Sequence, residues 1–372
     1  MKCGEGLEGQ PSNPPVACDR ESGRYTAGIP GRTEARMTGF RRPFRTAAIV
    51  VAVAVLAVLA WITVAPAGGK LKMIDIPPGA SVHETAIMLR NAGIVRSALV
   101  FEALARLTRR PLLAGEYGFA RAPMFWVLRT IQGGRVYLHR ILVAEGLSVE
   151  QVVPLLAAKH LVVPARFRRA CSNRELLASA GIDAPRAEGY LFPDTYLIPR
   201  GMGEEKIVAL MLRRFVDRVP KDLNTRAAKH GLSPRALVAL ASIVEKEARV
   251  PDERPLISAV FHNRLKRGMP LQADPTVLYA LSRWDSRLSH ADLKVDSPYN
   301  TYRYKGLPPG PICSPGLASL KAAADPADAP WLYFVTRKDG TFRHNFSRTL
   351  GAHEKAERIS RDRRRELLKD GK

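Results

Sequence analysis

A Glu-Lys-Glu triplet at 245–247 closes the apolar segment SPRALVALASIVEKEARVPDE (residues 233–253) and is the first place where residue type and spacing could do chemistry. Ser233 can cap a helix whose first position is Pro234, and Pro251 stops that helix after Val250. At about 100° per residue counted from Leu237, the residues Leu240, Ile243, Val244 and Ala248 gather on one apolar face centred near 310°. Glu247 falls inside that face at about 280°, whereas Glu245, at about 80°, and Lys246, at about 180°, point to the other side with Ser242 and Arg249. A carboxyl in an apolar wall is costly to ionise, so its pKa rises and it keeps its proton near neutral pH. A glycosidic bond needs such an acid, because the leaving oxygen must receive a proton as the bond breaks. A glutamate paired in the core with an unseen Arg or Lys fits the same geometry, and helix phase alone leaves both readings open.

The other candidate nucleophiles and ligands read as structure. Ser81 with Glu84, and Ser148 with Gln151, have the spacing of a capping box, and no paired base is in view. Cys3, Cys18, Cys171 and Cys313 lack metal-ligand spacing, leaving only a Cys171–Cys313 disulfide open. His344 and His353 are too isolated to be ligands. The expectation is a site with neither metal nor cofactor.

The elements that must position Glu247 begin with an anchor. Residues 47–64 read AAIVVAVAVLAVLAWITV without a charge, and at about 1.5 Å per residue such a helix matches the hydrocarbon thickness of a bilayer. Arg36, Arg41, Arg42 and Arg45 precede it and only Lys70 and Lys72 follow closely, which places the N-terminus in the cytoplasm and the remainder outside. Ala65-Pro66-Ala67 is a poor signal-peptidase site because proline sits in its middle, so a transmembrane helix over 47–66 is expected. Residues 1–36 carry Gly, Pro and charge without apolar period and read as a disordered extension. The basic flank 37–46 follows, with Met37 the suspected true start.

Beyond the anchor two segments echo each other. Ile74-Asp-Ile-Pro-Pro-Gly79-Ala-Ser81 and Ile141-Leu-Val-Ala-Glu-Gly146-Leu-Ser148 each suggest a strand, a glycine turn and a capped helix. Between them, residues 115–140 read as strand, helix, Gly-Gly turn and strand. Residues 70–160 are therefore expected to form a small α+β module near the membrane, either a spacer or a glycan-docking unit.

The formal net charge is +23. So basic a chain suits an anionic partner, and acidic lipid headgroups or wall polymers fit better than nucleic acid. No helix-turn-helix, RNA-binding aromatic string or zinc finger is present, and the anchor places the chain outside the cytoplasm.

Several long strings resemble the endolytic murein transglycosylase family, MltG or YceG-like. They are EGYLFPDTY (188–196), LASIVEKEA (240–248), FHNRLKRGMPLQADPTVLYAL (261–281), SPYNTYRYKGLPPGPICSPG (297–316) and the closing LYFV and RHNFSRTLGAH, together spanning roughly 70–355. The resemblance implies an α+β architecture: one transmembrane helix, a membrane-proximal LysM-like module over 70–160 and a mixed α+β catalytic domain over 161–355; the charge run of 356–372 reads by itself as a solvated helical tail. It implies a non-hydrolytic cut between MurNAc and GlcNAc that leaves 1,6-anhydro-MurNAc. Its partners would be glycan strands, inner-membrane lipids and peptidoglycan synthases. The family's glutamate lies in the V-E-K-E string, and helix phase selects Glu247, with Glu245 in reserve. Gln272, Asp274, Tyr299, Asn300, Tyr302 and Glu188 follow as substrate-binding candidates, and Asp194 as a turn residue. Two departures stand out: Thr341–Arg343 lengthen the stretch before His344, and the extension before Met37 is foreign to the family. A glycan-binding scaffold that keeps the fold without chemistry is the alternative.

Overall fold

The computed structural model describes residues 42–67, 69–284 and 287–369. The readings of residues 1–36, of Met37 as the start, of Cys3 and Cys18, and of the flank up to Arg41 lie outside the described residues. Helix α1 (Arg42–Val64) contains one stretch, Arg45–Val64, long and apolar enough to cross a membrane, with none of its residues fully buried. It ends two residues before the expected boundary, because Pro66 drives Ala65 out of helical geometry. From Ala60 onward the chain forms one unit.

That unit contains two hydrophobic cores. In the first, β1 (Lys72–Ile76) pairs antiparallel with β2 (Gly115–Phe119), in the register Ile74 opposite Tyr117. Helices α2 (Val82–Asn91), α3 (Ala98–Thr108) and α4 (Met124–Gln132) close over Ile74, Ile76, Leu89, Phe101, Tyr117 and Ile131. The capping box expected at α2 is complete: Ser81 Oγ accepts from the Glu84 amide, and the Glu84 carboxylate accepts from the Ser81 amide at 2.8 Å. Such a cap contributes about 1 kcal/mol.

The second half of the echo leaves this core. Strand β3 (Leu138–Val143) pairs antiparallel with β4 (Asp194–Pro199), and Ile141 and Val143 turn inward to a second core extending to Ala324. Helix α5 (Val149–Ala157) follows with its own complete box between Ser148 and Gln151. The cores therefore divide between Ile131 and Ile141 rather than at residue 160. Strand pairing overrides the local echo, since β3 finds its partner more than fifty residues downstream. Buried Glu116 joins the two parts, accepting from Arg200 at 2.9 Å and meeting His139 Nε2 at 2.5 Å.

The second core is mostly helical: α6 (Pro164–Cys171), α7 (Arg174–Ser179), α8 (Glu204–Arg218), α9 (Asp222–Ala228), α10 (Pro234–Glu247), α11 (Arg254–Lys266), α12 (Asp274–Ala280) and α13 (Leu317–Ala324). Hairpin β5 (Tyr333–Thr336) and β6 (His344–Ser347) and helix α14 (Leu350–Lys369) complete it. The tail is thus less solvated than its charge suggests: α14 begins at Leu350, and Ser360, buried, donates to the Thr336 carbonyl on β5 at 2.5 Å. Cys171 and Cys313 are both buried free thiols, so the disulfide left open is not formed. The described residues form three two-stranded sheets among the helices, so the fold is mixed α+β.

Candidate active site

Helix α10 starts as its sequence dictates, with Ser233 Oγ accepting from the Ala236 amide and Pro234 in the first turn. Every residue from Leu237 to Val244 is buried, because α9, α11, α12 and α13 surround the helix. Of the side expected to face solvent, Lys246 and Arg249 are exposed, whereas Ser242 and Glu245 are covered. Ser242 Oγ donates to the Ala239 carbonyl at 2.7 Å and accepts from the Ile312 amide at 3.0 Å. Glu245, with its side chain 7% exposed, accepts from the Gly316 amide at 3.0 Å and lies 3.7 Å from Arg254. Glu145, on the turn after β3, crowds the same spot and abuts Gly316, where a Cβ would collide with its carboxyl. Burial, the charge of Glu245 and, in opposition, Arg254 leave Glu145 above the usual carboxylate range.

The helix also ends earlier than expected. Ala248 is extended, so Glu247 is the last helical residue, three positions before Val250. A carboxylate there meets the negative end of the helix dipole, which further disfavours its charged form. Glu247 keeps some accessible surface, yet its surroundings are dense. Burial, then the neighbouring charge of Asp274, push its pKa up to about 8, with Arg264 opposing. Among the described residues no hydrogen bond or ion pair engages its carboxyl.

Arg264 of α11 is the cation that opposes this rise, and among the described residues it forms no ion pair with Glu247. Its Nε donates to the Leu332 carbonyl at 2.7 Å, and its Nη1 to the Leu271 carbonyl at 2.8 Å and to Gln272 Oε1 at 3.2 Å. The guanidinium is spent on holding backbone and on aiming Gln272. Sequence reading missed Arg264; the only signal was a lone arginine on the inward face of FHNRLKRG.

The LQADPT and YNTY strings meet at this place. Gln272 is held left-handed at φ +50° by a bond from its amide to the Thr301 carbonyl at 3.1 Å. Thr301 Oγ1 accepts from the Ala273 amide at 3.0 Å and pairs with Thr276 Oγ1 at 2.8 Å. Tyr302 donates to Asp274 Oδ1 at 2.5 Å, and burial, that bond and the charge of Asp274 keep its phenol protonated. A non-glycine residue in the left-handed region costs of order 1 kcal/mol and persists where the surroundings demand it. Glu247, Arg264, Gln272, Asp274 and Tyr302 are thus brought into one neighbourhood.

Three other candidates lie elsewhere. Asn300 is fully buried: Nδ2 donates to the Leu293 and Val295 carbonyls, and Oδ1 accepts from the Tyr302 amide. No surface remains for a sugar, so the expectation for Asn300 is corrected to a structural role. Tyr299 packs at 4.8 Å on Tyr279, which donates to Glu188 at 3.3 Å. Buried Glu188 accepts from the Val149 amide at 3.2 Å and so caps α5, while burial lifts its pKa to about 7. Asp194, expected in a turn, opens β4 and pairs with Arg214 at 3.2 Å. His344 is fixed by Glu253, whose carboxylate accepts its backbone amide at 3.0 Å and meets Nδ1 at 2.7 Å.

Comparison with known proteins shows a family match over most of the chain. The YceG-like family model matches residues 74–359. The endolytic murein transglycosylase of Bacillus subtilis (strain 168) is 31% identical over 301 residues, covering 76% of this chain and 83% of that one. Its namesake from Streptococcus pneumoniae (serotype 2, strain D39) is 29% identical over 299 residues, which span 72% of this chain and 54% of the relative. The crystal structure of a YceG-like protein from Listeria monocytogenes superposes with a TM-score of 0.54 at 31% identity, covering 77% of this chain and 98% of the other. The chain belongs to the YceG-like family.

Proposed function

We propose that the chain is a membrane-anchored endolytic lytic transglycosylase that cuts peptidoglycan glycan strands between MurNAc and GlcNAc. The observation that carries this is Glu247, a carboxyl without a competing partner, partly open to solvent and still protonated at neutral pH. Its proton goes to the glycosidic oxygen as the C1–O bond breaks, and the resulting carboxylate takes the proton of the MurNAc 6-hydroxyl as that oxygen closes on C1. No water enters, and the new end is 1,6-anhydro-MurNAc. Gln272, Asp274 and Tyr302 hold the sugar, with Tyr299 and Glu188 serving a more distant part of the strand. Glu245 keeps the end of α10 in place instead of reacting.

The first core is read as the LysM-like docking unit. Helix α1 is read as a single-pass inner-membrane anchor with a cytoplasmic N-terminus and a periplasmic catalytic unit, for which the arginines before it are the support. Lipids of that membrane and peptidoglycan synthases are the expected partners, and trimming or terminating nascent strands the role.

Asp274 beside Glu247 favours one second reading: a hydrolase in which water replaces the 6-hydroxyl. Digestion of purified strands followed by borohydride reduction separates the two. Anhydro ends resist reduction, whereas an increase in reducible ends equal to the number of cuts would overturn the non-hydrolytic reading.

A further inference from the structure

The last turn of α1 is tied directly to the first core. Residues 60–64 belong to the same unit as that core, and Ile62 packs against it. The Arg96 guanidinium lies 3.8 Å from the centroid of the Trp61 ring and donates to the Pro66 carbonyl at 3.2 Å. Three residues past the helix end, Ala67 exchanges two backbone hydrogen bonds with Ala122, at 3.2 and 3.3 Å. Ile62 lies inside the stretch long and apolar enough to cross a membrane, so a core that packs on it rests where that stretch leaves the bilayer.

Ala122 leads into α4, whose residues from Met124 to Leu128 are all apolar. Met124, Val127, Leu128 and Ile131 are buried in the first core. At about 100° per residue, Phe125, Trp126 and Arg129 share the opposite face. All three are exposed, Phe125 to 45% and Trp126 to 50%, as is Arg121 just before the helix. On a helix bathed in water this outward stripe would be polar. One exposed aromatic needs no explanation. Two side by side with arginines around them make the face that interfacial helices turn to a bilayer, rings at the headgroup–acyl boundary and cations among the phosphates.

We propose that this face of α4 lies on the membrane, as a second contact with lipid beside the span. The inference rests on the anchor reading of α1. The occupant is the lipid surface because the face begins three residues after Ala122, which is bonded to chain just leaving the apolar stretch. Arg121 and Arg129 complement anionic headgroups. Since the chain from Ala60 onward is one unit, two contacts with the bilayer set the height of the catalytic helix above it, which a single helix free to swivel would not.

The test places the full chain in vesicles of phosphatidylcholine and phosphatidylglycerol whose acyl chains carry bromine near the headgroup end, a contact quencher of tryptophan fluorescence. The tryptophans are Trp61, Trp126, Trp284 and Trp331, and replacing all but one with Phe leaves Trp126 or Trp61 as sole reporter. An interfacial helix sits about 5–10 Å deep, so Trp126 emission is expected to fall at least about twofold relative to unbrominated vesicles. If the triple replacement unfolds by circular dichroism, the part of the parent's quenching lost in Trp126→Phe reads the same ring. Trp61 quenched with Trp126 unquenched overturns the α4 contact and leaves the anchor standing; a face kept for a protein or glycan gives that result. Trp61 left unquenched removes the anchor reading, and the α4 contact with it.

Discussion

Glu245 and Glu247 stand two residues apart at the end of α10 in opposite circumstances. The first is tied to the Gly316 amide and faces Arg254, whereas the second has no such tie and is held neutral by burial and by Asp274. One turn of chain thus carries a structural carboxylate and an acid.

The pH dependence follows from the second of these. Cleavage that needs the proton on Glu247 should hold to about pH 8 and fall about tenfold per unit above it. Stability carries the same sign. The folded-state pKa lies above the ordinary value of 4.5, so the contribution of this group is greatest below about 4.5 and is lost as pH rises through about 8. Glu247→Gln should therefore stabilise the fold at pH 8 by roughly 1–3 kcal/mol, after allowance for solvent reaching the carboxyl, and by nothing at pH 4. Denaturant midpoints of parent and variant at both pH values check this; an equal difference at the two would contradict it.

Glu245→Gln acts on stability first. The amide can still accept from Gly316, but Arg254 loses its counter-charge in a half-closed site, at a cost of about 1–3 kcal/mol. A lowered denaturation midpoint with anhydro ends still forming is the expected pair of results. Abolished cleavage in a variant as stable as the parent would hand the acid's role to Glu245.

How far these roles were legible depends on whether the physics was local. Both capping boxes and the Ser233–Pro234 start of α10 could be read because each rests on neighbours within a turn or two. The burial of Glu245 could not: periodicity distinguishes a face only when a helix lies at a surface, and α10 is enclosed. Residues 70–160 looked like one module because the two βα units echo in sequence, yet the long-range pairing of β3 with β4 sends them to different cores. Arg264 escaped notice since its partners, the Leu271 and Leu332 carbonyls, are backbone groups that leave no side-chain pattern.

Asn300 provides a check on the corrected reading. Asn300→Ala removes two donors to buried carbonyls and the acceptor that holds the Tyr302 amide, which should cost about 2–4 kcal/mol. Its effect on cleavage should track the loss of folded protein. A variant that melts like the parent but binds strands weakly would restore Asn300 to the sugar site.

Gln272 should behave in the opposite way. Gln272→Gly relieves the left-handed backbone and leaves stability within about 1 kcal/mol of the parent, or slightly above it. Cleavage should nonetheless fall at least tenfold, because the amide aimed by Arg264 is gone. Full activity in this variant would show that Gln272 is only a turn.

The most direct measurement is mass spectrometry of the ends that the parent and Glu247→Gln leave on the same purified glycan strands at pH 7. The parent should give 1,6-anhydro-MurNAc ends, and the variant, folded and at least as stable, should give none. Anhydro ends accumulating at the parental rate in Glu247→Gln would contradict the account.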